Sequence, residues 1–263
     1  HYARKSGESE AVAAAIAEQY NAVSQTKPGL ALALADRLDR LAGLFAAGLA
    51  PKGSNDPFAL RRAALHIIEN LTVNEISFDL RAGLHAAGAL LPVESGGEVL
   101  SDVLSFINRR LEVVLREQGL PASVVNAVLA EQGHNPYRAG KTAVALAKAV
   151  QADDWPALLD AYARCVRITR TQTEQYDLRS NAFDVPAERA LLAAYQSAAA
   201  SVDSSVPAVV ASLRSMAPAI NDFFDAVLVM DEDTAVRQNR LALLQHIANL
   251  TDGMADLSHL EGF

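Results

Sequence analysis

Arg164, Arg167 and Arg170 recur every third residue in YARCVRITR, which puts three guanidinium groups roughly on one side of a helix. Each is a planar fork of donors that fits phosphate oxygens, so such a row can track a nucleic-acid backbone. It can equally be a solubility face with local pairing, for example Asp160 with Arg164. Arg109, Arg110 and Arg116 form a second group, with Arg138 and Lys141 nearby in sequence. A third lies in PKGSNDPFALRRAALHIIENL, where Arg61 and Arg62 project off the apolar stripe of a helix and His66 lies one turn beyond Arg62. Arginines near a helix start suit a phosphate contact, because side chains and macrodipole act together. A salt-bridged surface, with Glu69 as partner, explains the same residues.

Other chemistry has little support. No His-Glu-x-x-His, Cys-x-x-Cys, Gly-Lys-Ser/Thr phosphate loop or Gly-x-Ser-x-Gly elbow occurs, and the six histidines are not paired at metal-ligand spacing. Asp36 and Asp39 in ALADRLDRLAG share a helix face, but Arg37 and Arg40 alternate with them, and the pattern reads as a solvated, ion-paired face. Cys165 is the only cysteine. It can form no internal disulfide and reads as a small buried side chain in a reducing compartment. Arg240 falls inside the apolar stripe of Val236, Leu243 and Ile247, where a charge requires a carboxylate or a ligand. Phe223 and Phe224 read as core, or as a stacking face for an unpaired base.

The elements that must position these residues are helical. Leu30, Leu34, Leu38, Leu41 and Phe45 make one stripe, and Leu60, Ala64, Ile67, Ile68 and Leu71 another. Leu100, Val103, Ile107, Leu111 and Val114 follow, then Trp155, Leu159, Tyr162, Val166 and Thr169. Val12, Ile16, Tyr20 and Val23 are read the same way, and Ala235 to Leu250 is helical again. Asp56 can cap the helix after it, with Pro57 at the first helical position; Gly119 and Pro121 stop the helix before them. Alternating strands are scarce, except briefly around Val73 to Phe78. The expectation is an all-α chain of roughly ten helices. The loop LLPVESGGEVL marks a joint near residue 94.

Bulk properties fit. The chain has 263 residues, enough for a large core, with 51% apolar residues, 21% charged residues and a net charge of -8. That balance argues against a generic nucleic-acid coat and leaves room for one local basic stripe. No apolar run is long enough to span a membrane, and HYARKSGESE is not a signal peptide. A chain opening on His1 is expected to be part of something longer.

Three stretches together resemble one family, the beta subunit of the bacterial two-subunit glycyl-tRNA synthetase. ALADRLDRLAGLFAAGLAPKGSNDPFALRRAAL is similar to its Ala-Asp-Lys-Leu-Asp segment and Gly-Ser-Lys-Asp-Pro-Phe-Ala-Leu-Arg-Arg signature; FFDAVLVMDEDTAVRQNRLALL and ADLSHL are similar to its C-terminal segments. The resemblance implies two helical domains: residues 1–93 as the end of an HD-like domain, and residues 94–263 as an anticodon-binding domain similar to that of arginyl-tRNA synthetase. It implies a part of a cytoplasmic glycine–tRNA ligase with no catalytic centre and no metal of its own. Its partners would be glycine tRNA and the alpha subunit, in a heterotetramer of two alpha and two beta chains. ATP and magnesium would belong to the alpha-subunit active site. It points to Arg109, Arg110, Lys141, Arg164, Arg167, Arg170, Asn239 and Arg240 for tRNA contact. Arg61 and Arg62 would organise the HD-like domain, with a phosphate contact open to them. Asp36 matches the late Asp of an HD metal site, so a metal-dependent phosphohydrolase is one alternative. A helical protein-interaction scaffold without RNA binding is the other.

Overall fold

A computed structural model describes residues 1–200 and 205–263. Among them are twelve α-helices and no sheet; an isolated bridge joins Lys52 and Asn55. Two compact units divide the chain: His1–Leu120 with Gln132–Lys141, and Pro121–Glu131 with Thr142–Phe263.

The first unit contains α1 (Tyr2–Lys5), α2 (Glu10–Glu18), α3 (Lys27–Ala46), α4 (Leu60–Val73), α5 (Leu80–Gly88) and α6 (Gly97–Glu117). Helix α3 is its centre and packs on α2, α4, α5 and α6. The stripe of α4 is buried throughout, as its spacing requires. The expected stripe of α2 is not: Val12 and Ile16 are exposed, Tyr20 lies beyond the helix end, and Ala13 and Ala15 face inward instead. Small side chains let α2 approach α3, and the sequence pattern favoured the larger ones. Of the stretch Val73 to Phe78, Val73 ends α4 and the rest forms a loop rather than a strand.

Asp56 caps α4, though not in the expected geometry. Its carboxylate accepts from Leu60 N at 2.8 Å and Arg61 N at 2.9 Å. Ala59 turns through the left-handed region at φ 52, so the helix begins at Leu60 and Pro57 sits in the turn ahead of it. The joint expected near residue 94 lies inside the first unit, because α6 buries Leu100, Val103, Ile107 and Leu111 and packs on α3, α4 and α5. Gly119, at φ 86, ends α6 in the backbone conformation that glycine adopts at least cost.

The second unit is built mainly from α9 (Trp155–Thr169), α10 (Pro186–Ala199), α11 (Val206–Ala226) and α12 (Thr234–Ala248). Helix α9 packs on α11 and α12, and α10 on α11 and α12. The Tyr162 hydroxyl donates to Ala248 O at 2.8 Å, tying α9 to the end of α12. Helices α7 (Ala122–Gln132) and α8 (Pro136–Ala149) lie between the two sets in sequence. No helix is long and apolar enough to cross a membrane, among the described residues.

Candidate nucleic-acid interface

On α9 and at its C-terminal cap the three arginines stand apart from the buried stripe of Trp155, Leu158, Leu159 and Tyr162. Arg164 is half-buried and lies 4.4 Å from the centroid of the Phe224 ring. It donates to Asn221 Oδ1 at 3.3 Å and lies 3.9 Å from Asp225. Arg167 is exposed, 5.5 Å from the centroid of Phe263 and 3.7 Å from Asp160. The local partner of Asp160 is thus Arg167 rather than Arg164. Arg170, just past the helix end, is exposed; its backbone N–H donates to Val166 O at 2.8 Å, and its side chain makes none of the side-chain hydrogen bonds or ion pairs found among the described residues. The aromatic faces hold two guanidiniums in place at about 0.5–1 kcal/mol each, and exposed ion pairs of this kind contribute no more than about 1 kcal/mol. Phosphate oxygens can therefore displace the carboxylates.

The two phenylalanines divide the expected roles. Phe223 is fully buried, while Phe224 is half-buried beneath Arg164.

On the first unit, Arg109 and Arg110 of α6 lie 5.9 and 6.0 Å from the centroid of Phe106. Arg109 is exposed; Arg110 is half-buried, and its Nε is buried without a partner. Lys141 is exposed and lies 5.5 Å from the Tyr137 ring centroid. Arg61 folds back on its own loop. It donates to Gly53 O and lies 3.8 Å from Asp56, so it clamps the turn ahead of α4. Arg62 is exposed. Neither arginine pairs with Glu69 among the described contacts.

Asn239 and Arg240 are not available to a ligand, which corrects the expectation from sequence. Both are buried. Asn239 accepts from Arg179 N at 2.7 Å and donates to Arg179 O at 3.1 Å, holding the segment ahead of α10. Arg240 Nε donates to Glu188 Oε1 at 2.6 Å, and its Nη1 donates to Asp231 Oδ2 at 2.7 Å and Leu228 O at 2.9 Å. The partner demanded by a charge in an apolar stripe is thus internal. Asp233 caps α12 by accepting from Ala235 N and Val236 N.

Arg37, read from sequence as part of a solvated face, is buried. Its Nη1 donates to Ala33 O at 2.8 Å, and its Nη2 to Asn21 O at 2.8 Å and His66 Nδ1 at 3.2 Å. Arg37 sits between Ala33 and Leu41, four residues from each on the buried side of α3, and that spacing was the available signal. Asp36 and Arg40 do pair, at 4.0 Å. Among the described residues no three His, Cys, Asp or Glu side chains form a group that could hold a metal. Cys165 is buried, and burial pushes its thiol up to about 12.

Because guanidinium only donates, His66 Nδ1 must accept, which requires a neutral ring protonated on Nε2. Burial, then the charges of Arg37, Arg62 and Arg40, hold its pKa below the ordinary histidine value of 6.5. Folding therefore favours the neutral form, and the unfolded chain binds more protons in mild acid. The contribution of His66 is complete above 6.5 and is lost as pH falls through the lowered folded value. Urea unfolding between pH 7.5 and pH 5 will show a loss of stability on acidification. His66→Gln, which keeps an acceptor without titrating, will lose less; equal losses would remove His66 from the account.

The comparisons specify the class of this helical protein. Residues 158–257 match the DALR anticodon binding domain, placing the second unit in that all-helical class. Residues 1–130 match the glycyl-tRNA synthetase beta subunit. A chloroplastic/mitochondrial glycine–tRNA ligase of Arabidopsis thaliana is 37% identical over 100% of this chain and 26% of its own length. Glycine–tRNA ligase beta subunits of Desulforudis audaxviator and Acidobacterium capsulatum are 37% and 35% identical over 98% of this chain, which spans 39% and 40% of their lengths. The chain belongs to the glycyl-tRNA synthetase beta-subunit family.

Proposed function

We propose that this chain is a tRNA-recognition part of a cytoplasmic glycine–tRNA ligase, binding the anticodon region of glycine tRNA. Glycine activation with ATP and magnesium is assigned to a partner alpha subunit, and this chain supplies recognition rather than bond-making chemistry. The observation that carries the reading is the coincidence of the anticodon-binding match with the row Arg164, Arg167 and Arg170. Phosphate contacts from this row would fix the anticodon stem, leaving unstacked loop bases to be read by hydrogen bonds and stacking. Arg109, Arg110 and Lys141 are assigned to further phosphate contacts on the first unit. Arg62 is the exposed member of its pair and the one open to a phosphate, since Arg61 is engaged with its own loop. The division into an HD-like and an anticodon-binding domain is kept as part of this proposal.

Filter binding of glycine tRNA across a salt series tests the reading. Arg167→Ala should weaken binding and lower the salt slope by about one, the signature of one lost phosphate contact. Absence of binding at moderate salt would overturn the proposal.

A further inference from the structure

Three guanidiniums from two helices of the first unit gather around one imidazole. The segment entering α3 lies by the end of α4: Ser24 N donates to Asn70 Oδ1 at 2.9 Å, and Asn74 Nδ2 donates to Ser24 O at 3.3 Å. Further along α3, Arg37 Nη2 donates to His66 Nδ1 at 3.2 Å, so the two helices run in opposite directions. One turn forward on α3 from Arg37 is Arg40, and one turn back on α4 from His66 is Arg62. Arg40 and Arg62 therefore stand at the same level, next to the ring. The charges of Arg37, Arg62 and Arg40 all reach the ring and lower its pKa.

This group is short of counter-charge. Asp36 is the one carboxylate within ion-pair range of it among the described residues, and it lies 4.0 Å from Arg40. Glu69 makes no ion pair with any of the four, and its Oε2 is buried without a partner. Like charges placed together raise the energy of a fold unless an anion stands among them. The set is also firmly held. Arg37 is 3% exposed, and its Nη1 and Nη2 are both engaged. It occupies Nδ1 of His66, so the ring proton sits on Nε2, on the side of the ring away from that bond. That N–H makes no hydrogen bond among the described residues.

We infer that Arg40, Arg62 and the His66 Nε2–H form a phosphate site whose ring is oriented by the buried Arg37. Two planar forks and one ring N–H come from two different helices. A tetrahedral group offers oxygens in enough directions to meet all three, and a planar carboxylate does not. The site extends the single contact open to Arg62 into a three-donor one, and it stands whether or not the chain binds tRNA. Free phosphate and the phosphate of an RNA backbone share this chemistry and are separated by the test.

Nitrogen-15 NMR of the His66 ring in this 263-residue chain tests it, with sodium phosphate titrated against sodium chloride at constant ionic strength and glycine tRNA added separately. Without ligand, Nε2 should carry the proton and Nδ1 none; the reverse tautomer would overturn the site. Inorganic phosphate should shift Nε2 saturably, and Arg40→Gln and Arg62→Gln should each weaken that binding about tenfold. Both arginines are exposed, so the fold should persist in either variant. A shift with tRNA but not with free phosphate, and a tRNA salt slope lower by about one in Arg62→Gln, would assign the site to backbone phosphate. No response to either ligand, or a response unchanged in both variants, would overturn the site. A saturable phosphate shift in a chain that binds no tRNA would keep this site and overturn tRNA recognition.

Discussion

Arg240→Met will destabilise the chain by about 3–5 kcal/mol, the usual consequence of leaving one member of a buried ion pair alone. Glu188 is 3% exposed at its side chain, and the guanidinium of Arg240 faces it at 2.6 Å. Glu188 Oε2 also accepts from Asp184 N at 3.0 Å and Val185 N at 2.9 Å, so the carboxylate is fixed at the start of α10 and cannot turn toward water. Loss of Arg240 also releases the segment after α11, where it donates to Leu228 O and Asp231. Arg240 thus ties α10, the 227–233 segment and α12 together, and methionine fills the volume without replacing any donor. Urea unfolding followed by circular dichroism measures the loss. Adding Glu188→Gln to the variant should recover part of it, because the unpaired charge is then gone. A loss under about 1 kcal/mol, or additive single effects, would show that the pair contributes little.

The combined replacement of Arg164, Arg167 and Arg170 by alanine will leave the fold in place and weaken tRNA binding by roughly a hundredfold at low salt. Each contact to phosphate is worth about 1 kcal/mol once its local carboxylate is displaced, below the range for charged hydrogen bonds because the displaced ion pair offsets part of the gain. The salt slope should fall by about two to three, the counterion equivalent of three lost contacts. Arg167 and Arg170 are exposed and Arg164 is only half-buried, so far-ultraviolet ellipticity and the urea midpoint should change little. An unchanged slope in the folded triple variant would remove this row from the interface.

The helices were legible where large aliphatic residues carry the period. The α4 stripe from Leu60 to Leu71 is buried as written, and so are Leu100, Val103, Ile107 and Leu111 of α6. Reading failed where alanine does the packing, as in α2, because small residues give a weak periodic signal while two exposed aliphatics give a misleading one. Proline and glycine mark the turn near residue 94, and turns between helices of one compact unit use the same residues.

The candidate site was partly legible. Spacing by three placed Arg164, Arg167 and Arg170 away from the core stripe, and the demand of Arg240 for a partner followed from its apolar neighbours. Whether that partner was a ligand or a carboxylate depended on Glu188, fifty-two residues away in sequence. Arg37 could have been recognised as buried from its spacing to Ala33 and Leu41.

Equilibrium binding of intact glycine tRNA, against the same tRNA with its anticodon replaced, tests the central claim most directly. Tight, salt-dependent binding that weakens at least tenfold on anticodon replacement is the expected result. Equal affinity for both, or none for either at moderate salt, would contradict the assignment of this chain to anticodon recognition.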